Sequence, residues 1–195
     1  ILVAYSLAQL PGWSSRSILR QRITEIASDP LFLQEGISNS ALGYLAILTT
    51  KPDSGFSSSL KKKVFDSLNN RLNIDSRGAF IEPNQNFLWY YYETPVKDTA
   101  LYLKALVHDQ SSPSGVLGTP SSPVLDKVVR WILNSREKDG AWGSTQNTLS
   151  AVDALTDFLV WKKETGSDFS LDLQLNDSPV GQFRFEPNTI LEQFR

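Results

Sequence analysis

The sequence predicts a mainly α fold, with helical hairpins stacked in an inner and an outer layer and a short β segment after them. Three observations carry this. Helices that are apolar nearly all round alternate along the chain with helices that carry one apolar stripe. A glycine-broken loop with a tryptophan joins two of them between Trp131 and Thr148. After Thr165-Gly166-Ser167 the apolar period changes from helical to two.

Seven stretches read as helices. Leu2 to Leu10 is mostly apolar. Ser17 to Ala27 sets Leu19, Ile23 and Ile26 on one stripe and leaves Arg16, Arg20, Arg22 and Glu25 for water. Asn39 to Leu48 is apolar nearly all round through Ala41, Leu42, Tyr44, Leu45, Ile47 and Leu48. Ser58 to Leu72 is striped by Leu60, Val64, Leu68 and Leu72, and Lys61, Lys62 and Lys63 read as a solvated face. Lys97 to Val107 returns to the apolar type with Ala100, Leu101, Leu103, Ala105 and Leu106. Pro123 to Ser135 is striped by Val124, Val128 and Ile132 and opens on a Ser122 cap and a first-turn proline. Asn147 to Lys162 closes the series with Leu149, Val152, Leu155 and Phe158.

A helix without a polar face must be covered on every side, whereas a striped helix faces water. The odd members are therefore expected inside and the even members outside. A weak internal repeat agrees: Tyr44-Leu45-Ala46-Ile47-Leu48, Tyr102-Leu103-Lys104-Ala105-Leu106 and Ala151-Val152-Asp153-Ala154-Leu155 recur at a spacing of roughly fifty residues. Beyond Gly166, Phe169, Leu171, Leu173 and Leu175 alternate with Ser170, Asp172 and Gln174 as in a half-buried strand. Asn176-Asp177-Ser178-Pro179 reads as a turn, Val180 to Phe185 as a second strand, and Thr189 as the possible start of a third. The expected division is 1–165 for the helical layers and 166–195 for the first strands of a β domain. The chain opens inside a helical pattern without methionine, which predicts a piece of a longer polypeptide.

Composition narrows the function. The apolar share is 41% and the charged share 21%, ordinary for a globular protein. A net charge of −2 with no basic face speaks against nucleic acid as a partner. With no cysteine, disulfides and thiolate chemistry are excluded in these 195 residues, and a single histidine makes a zinc centre improbable. No metal and no cofactor is expected. No apolar run approaches the roughly 18 residues of a membrane span, so no direct membrane contact is expected from this segment.

Four features hold residues that chemistry can use. His108 ends an apolar helix beside Asp109, and its simplest role is a C-terminal cap favoured by the helix dipole. No partner for acid–base work can be named for it from sequence. Asp153 and Asp157 stand four apart on one helix, whereas Asp98 and Asp153 lie on two inner helices and make the better carboxylate pair. The run Phe87-Leu88-Trp89-Tyr90-Tyr91-Tyr92 reads as packing at the end of the helical layers, or as a sugar-stacking platform. Trp142 in Asp139-Gly140-Ala141-Trp142-Gly143 lies between a helix end and a helix cap. No residue is assigned a catalytic role.

Val128-Val129-Arg130-Trp131-Ile132, then Gly140, then Gly143-Ser144-Thr145-Gln146-Asn147-Thr148 resembles the α2-macroglobulin family. So does Tyr92-Glu93-Thr94-Pro95-Val96-Lys97-Asp98-Thr99-Ala100-Leu101, which is similar to the approach to the preceding inner helix in bacterial members. The helix-to-strand switch after Lys163 suits the β-sandwich that this family interleaves with its thioester domain. The resemblance implies the C-terminal half of an α/α toroid, with part of the ring missing. It also implies a broad-spectrum endopeptidase inhibitor that traps proteases, in the periplasm, cell envelope or outside the cell. Proteases and other domains of the same polypeptide are the implied partners.

The family's reactive Cys-x-Glu-Gln element has no counterpart here, because Glu192-Gln193 follows Ile190 where a cysteine is required. The loop is also similar to the repeat motif of terpene cyclases, in which an aromatic ring and a glutamine tie neighbouring helices. By that likeness Trp131, Trp142 and Gln146 form a structural junction. The acidic cyclase motif is missing, and prenyltransferase zinc ligands cannot be built. A toroid enzyme acting on carbohydrate through Asp98 and Asp153 is the alternative reading.

Overall fold

A computed structural model describes residues 1–9, 17–51, 54–83, 93–111, 123–163, 168–176 and 178–185. Leu10, Ser122, the aromatic run Phe87–Tyr92, the Thr165-Gly166-Ser167 switch, Thr189 and Glu192-Gln193 lie outside the described residues. The described chain is mainly helical, with eight helices and two short two-stranded sheets. Two compact units are distinguished, Ile1–Phe158 and Leu159–Arg195.

The first unit begins with α1 (Leu2–Leu7), α2 (Ser17–Ala27) and α3 (Pro30–Gln34). Helix α3 was not anticipated from sequence, although its start is well signalled. Asp29 accepts from the Leu31 amide at 2.9 Å, and Pro30 supplies the first helical φ. Helix α4 (Asn39–Thr50) is capped by Ser38, which accepts from the Ala41 amide, and ten of its residues are buried. Helix α5 (Ser58–Asn69) is capped in the same way by Ser57.

The helix expected to run to Leu72 stops at Asn69, and Leu72 opens a hairpin of β1 (Leu72–Asp75) and β2 (Gly78–Ile81). Arg71 explains the stop. Its guanidinium donates to the carbonyls of Leu33, Gln34 and Ile37 and to Asn39 Oδ1, which draws the chain away from the helix axis. Asp75 Oδ1 then accepts from the amides of Arg77 and Gly78 and closes the turn. The hairpin lies against α7 (Pro123–Asn134) so closely that a Cβ at Gly78 would come within 2.3 Å of the Lys127 carbonyl oxygen.

Helix α6 (Pro95–Gln110) starts at a Thr94 cap and buries eleven of its residues. It packs on α4 through Gly43, where a Cβ would stand 2.8 Å from that of Leu101. Helix α7 buries only Leu125, Val128, Trp131 and Ile132, a single stripe. Helix α8 (Thr145–Lys162) follows the glycine loop and continues into the second unit. Contacts run α1 to α4 to α6 among the inner-type helices, and α5 and α7 pack outside α4 and α6.

The inner series weakens at its two ends. Leu2 and Val3 of α1 are 56% and 69% exposed, and Leu149 and Val152 of α8 are 69% and 49% exposed. Both helices were expected to be covered all round. Among the described residues, α1 packs on α4, and α8 is tied to α6 through Lys104.

In the second unit, β3 (Phe169–Leu175) and β4 (Ser178–Phe185) pair antiparallel, with an irregularity between Leu173 and Gln174. The turn turns on Asn176 at φ 50°, a left-handed value that asparagine tolerates. Strand β3 falls on the alternating stretch, whereas β4 starts at Ser178: Ser178 and Pro179, expected in the turn, already pair with Leu175 and Gln174.

Candidate functional site

The junction loop is built from α7 outward. Trp142 is buried, and its indole Nε1 donates to the Ile132 carbonyl at 2.8 Å, one of the last carbonyls of α7. Gly140 and Gly143, at φ +84° and +78°, provide the left-handed turns that bring the ring back over the helix end. Arg136 covers the exposed side of that ring at 5.4 Å. On the other side, the Trp142 amide donates to Thr148 Oγ1, and Asn147 Nδ2 donates to the Trp142 carbonyl.

The tie from Trp142 into α8 therefore runs through Asn147 and Thr148. Gln146 stands exposed and lines a pocket. Trp131 sits apart from the loop: its ring stacks on Phe80 of β2 at 4.9 Å and 12°, so it serves the hairpin.

A second polar group lies between α6 and α8. Lys104 donates to Asp153 at 2.6 Å and lies 3.1 Å from Asp157, and His108 Nε2 is 3.1 Å from the same Asp157 oxygen. The partner of His108 could not be read from sequence, because only the fold sets α6 beside α8. Burial pulls the Lys104 ammonium down, yet the two carboxylates outweigh it and leave its pKa raised. Tyr5 and Tyr44 meet nearby with ring centres 4.8 Å apart, and burial raises both phenols.

A third group occupies the N-terminal ends of α4 and α6. Ser40 donates its amide to Glu93 Oε1 at 3.0 Å and its hydroxyl to Asp98 Oδ1 at 2.6 Å. Ser38, Ser40, Tyr44, Lys97 and Gln146 line a pocket of about 400 Å³ whose other walls are apolar, Phe32 and Ile37 among them.

Asp98 and Asp153, the pair considered for carbohydrate chemistry, are thus engaged in different places. Asp98 is buried on Ser40, while Asp153 is paired with Lys104, six residues further along α6 and so about 9 Å along its axis.

Lys61 corrects the expectation of a solvated lysine face. It is 4% exposed, and its Nζ lies 2.6 Å from Asp109 Oδ1, on a residue that is fully buried. Positions 60, 61, 64, 65 and 68 all face inward, so the buried stripe of α5 is one column wider than its leucines and valine suggest. Lys62 and Asp66 do form an exposed pair.

No group of three or more His, Asp or Glu among the described residues is arranged to hold a metal ion. No described helix is long and apolar enough to cross a membrane.

Residues 94–158 match the model of the A-macroglobulin TED domain. The match starts at the Thr94 cap of α6, includes the junction loop and ends where the first compact unit ends. No curated protein and no solved structure matches the chain.

Proposed function

We propose that this chain, which belongs to the α2-macroglobulin family by its residues 94–158, is a structural part of a protease-trapping molecule. Members of that family are protease inhibitors rather than enzymes. The observation that carries the reading is where the match falls: on α6, α7, α8 and the junction loop that Trp142 closes. The polar side chains there join helix to helix. Lys104 and His108 reach α8, Thr94 Oγ1 donates to Asn147 Oδ1 at 2.6 Å, and Lys61 closes on Asp109. Groups fixed in this way hold a shape, which is what a domain that helps enclose a protease must do.

The same reading assigns 1–165 to the helical domain and 166–195 to the start of a β domain. It also sets the protein in the periplasm, the cell envelope or the extracellular space, and takes proteases as the partners of the whole polypeptide. Any thioester would have to come from outside these residues, since they contain no cysteine.

A trapped protease keeps its active site but is screened from large substrates. The full polypeptide, incubated with an endopeptidase, should leave hydrolysis of a small chromogenic peptide intact and abolish digestion of casein. Equal loss of both activities, or of neither, would overturn the proposal.

A further inference from the structure

Glu93 and Asp98 grip one residue of the neighbouring helix from two sides. Glu93 Oε1 takes the Ser40 amide and Asp98 Oδ1 takes the Ser40 hydroxyl. Both acids are 2% exposed. The remaining oxygen of each, Glu93 Oε2 and Asp98 Oδ2, is buried and has no hydrogen-bond partner among the described residues. A carboxylate oxygen cut off from water and from any donor loses its hydration without compensation. A proton on one of two neighbouring acids removes that cost for it and spares the site a second buried charge. We propose that Asp98, held with Glu93 on one serine, keeps its proton at neutral pH, and that this proton tightens the tie between the N-terminal ends of α4 and α6.

The surroundings bear on where that proton is lost. Burial pushes the Asp98 carboxyl up to about 7; the Ser40 hydrogen bond opposes the rise, the Glu93 charge adds to it, and Lys97 and Asn39 pull it back. Arg71, at the end of α5, feels both acids, and Tyr44 of α4 feels Asp98. Among the described residues, none of these groups supplies a donor to Asp98 Oδ2.

The sign of the pH effect follows. An acid whose pKa is higher in the folded chain than in the unfolded one binds its proton first in the folded chain. Stability from the pair is then full below the unfolded pKa of about 4 and is lost as pH rises to about 7, above which it is flat. Over that window the folded-to-unfolded ratio should fall by up to about tenfold per pH unit.

The test uses the 195-residue chain with ¹³C-labelled carboxyls, together with Asp98→Asn and Glu93→Gln. The expected result is Asp98 titrating near neutrality in the unaltered chain, and with a lower midpoint in Glu93→Gln. The difference in stability between the unaltered chain and Asp98→Asn should change with pH between 5 and 7 in the stated sense. Two carboxyls titrating independently in the ordinary range, or a difference that does not vary with pH, would overturn it. If Asp98→Asn does not fold, the titration of the unaltered chain decides alone.

Discussion

Lys61 shows what a single residue can hide. In sequence it heads a run of three lysines, yet it is closed against Asp109 inside the first unit. Removing one member of such a pair leaves the other charged and buried. Lys61→Ala should therefore cost about 3–5 kcal/mol in chemical denaturation, while Lys61→Met with Asp109→Leu should cost far less. Trp142 offers a gentler test. Trp142→Phe keeps most of the ring and gives up the bond to the Ile132 carbonyl, for a loss of about 1 kcal/mol. Trp142→Ala also empties the space under Arg136 and should lose about 3–5 kcal/mol. The tryptophan was legible as structural from the likeness of its loop to the cyclase repeat motif, and the structure buries its ring on the Ile132 carbonyl. The burial of Lys61 was not legible, since nothing near it in sequence announces that Asp109, far along the chain, will lie beside it.

At the scale of elements, the helices were read from periodicity, with a cap residue named for the Pro123 helix alone, although caps are needed at the other starts too. Ser38, Ser57 and Thr94 stand where those caps are needed. The β1–β2 hairpin was missed because Leu72 continues the four-residue spacing of Leu60, Val64 and Leu68, so the stripe appears to run on. Its own signals, Leu72 and Ile74 alternating with Asn73 and Asp75 before a glycine, were there to be weighed. Contact between α4 and α6 depends on Gly43, and Gly43→Ala should destabilise by about 1–3 kcal/mol through overpacking against Leu101, measured by denaturant midpoint. Between α6 and α8 the ion pairs are partly open to water, with Asp153 55% and Asp157 30% exposed. Asp157 meets both Lys104 and His108, so Asp157→Asn should cost about 1 kcal/mol and Asp153→Asn about half that, each diminishing as salt is added.

Across the whole molecule, the alternation of helix character anticipated which helices lie inside. It held best for α4 and α6, which have neighbours on both flanks, and least for α1 and α8. Periodicity reports the surroundings a helix is built for, and cannot say which of them a given stretch of chain supplies. The two compact units should differ in stability for a related reason. Helices α4 and α6 bury side chains along their whole length, while a two-stranded sheet such as β3–β4 is marginal alone. Amide exchange should be slowest in α4 and α6 and fastest in β3–β4. Equal protection of all four elements would contradict this.

The pairings Thr94–Asn147, Lys104–Asp153 and His108–Asp157 keep an almost constant offset, so α6 and α8 run in the same direction, and the Ser40–Asp98 bond brings the start of α4 to the same end. Peptide dipoles in parallel neighbours repel, each helix carrying roughly half a positive charge at its start. The Glu93 charge at that end is a counter-charge to this field, and the Ser38 and Thr94 caps take up helix-start amides beside it. The parallel layer is thus neutralised at that tip by side chains, and replacing them should loosen the layer as a whole.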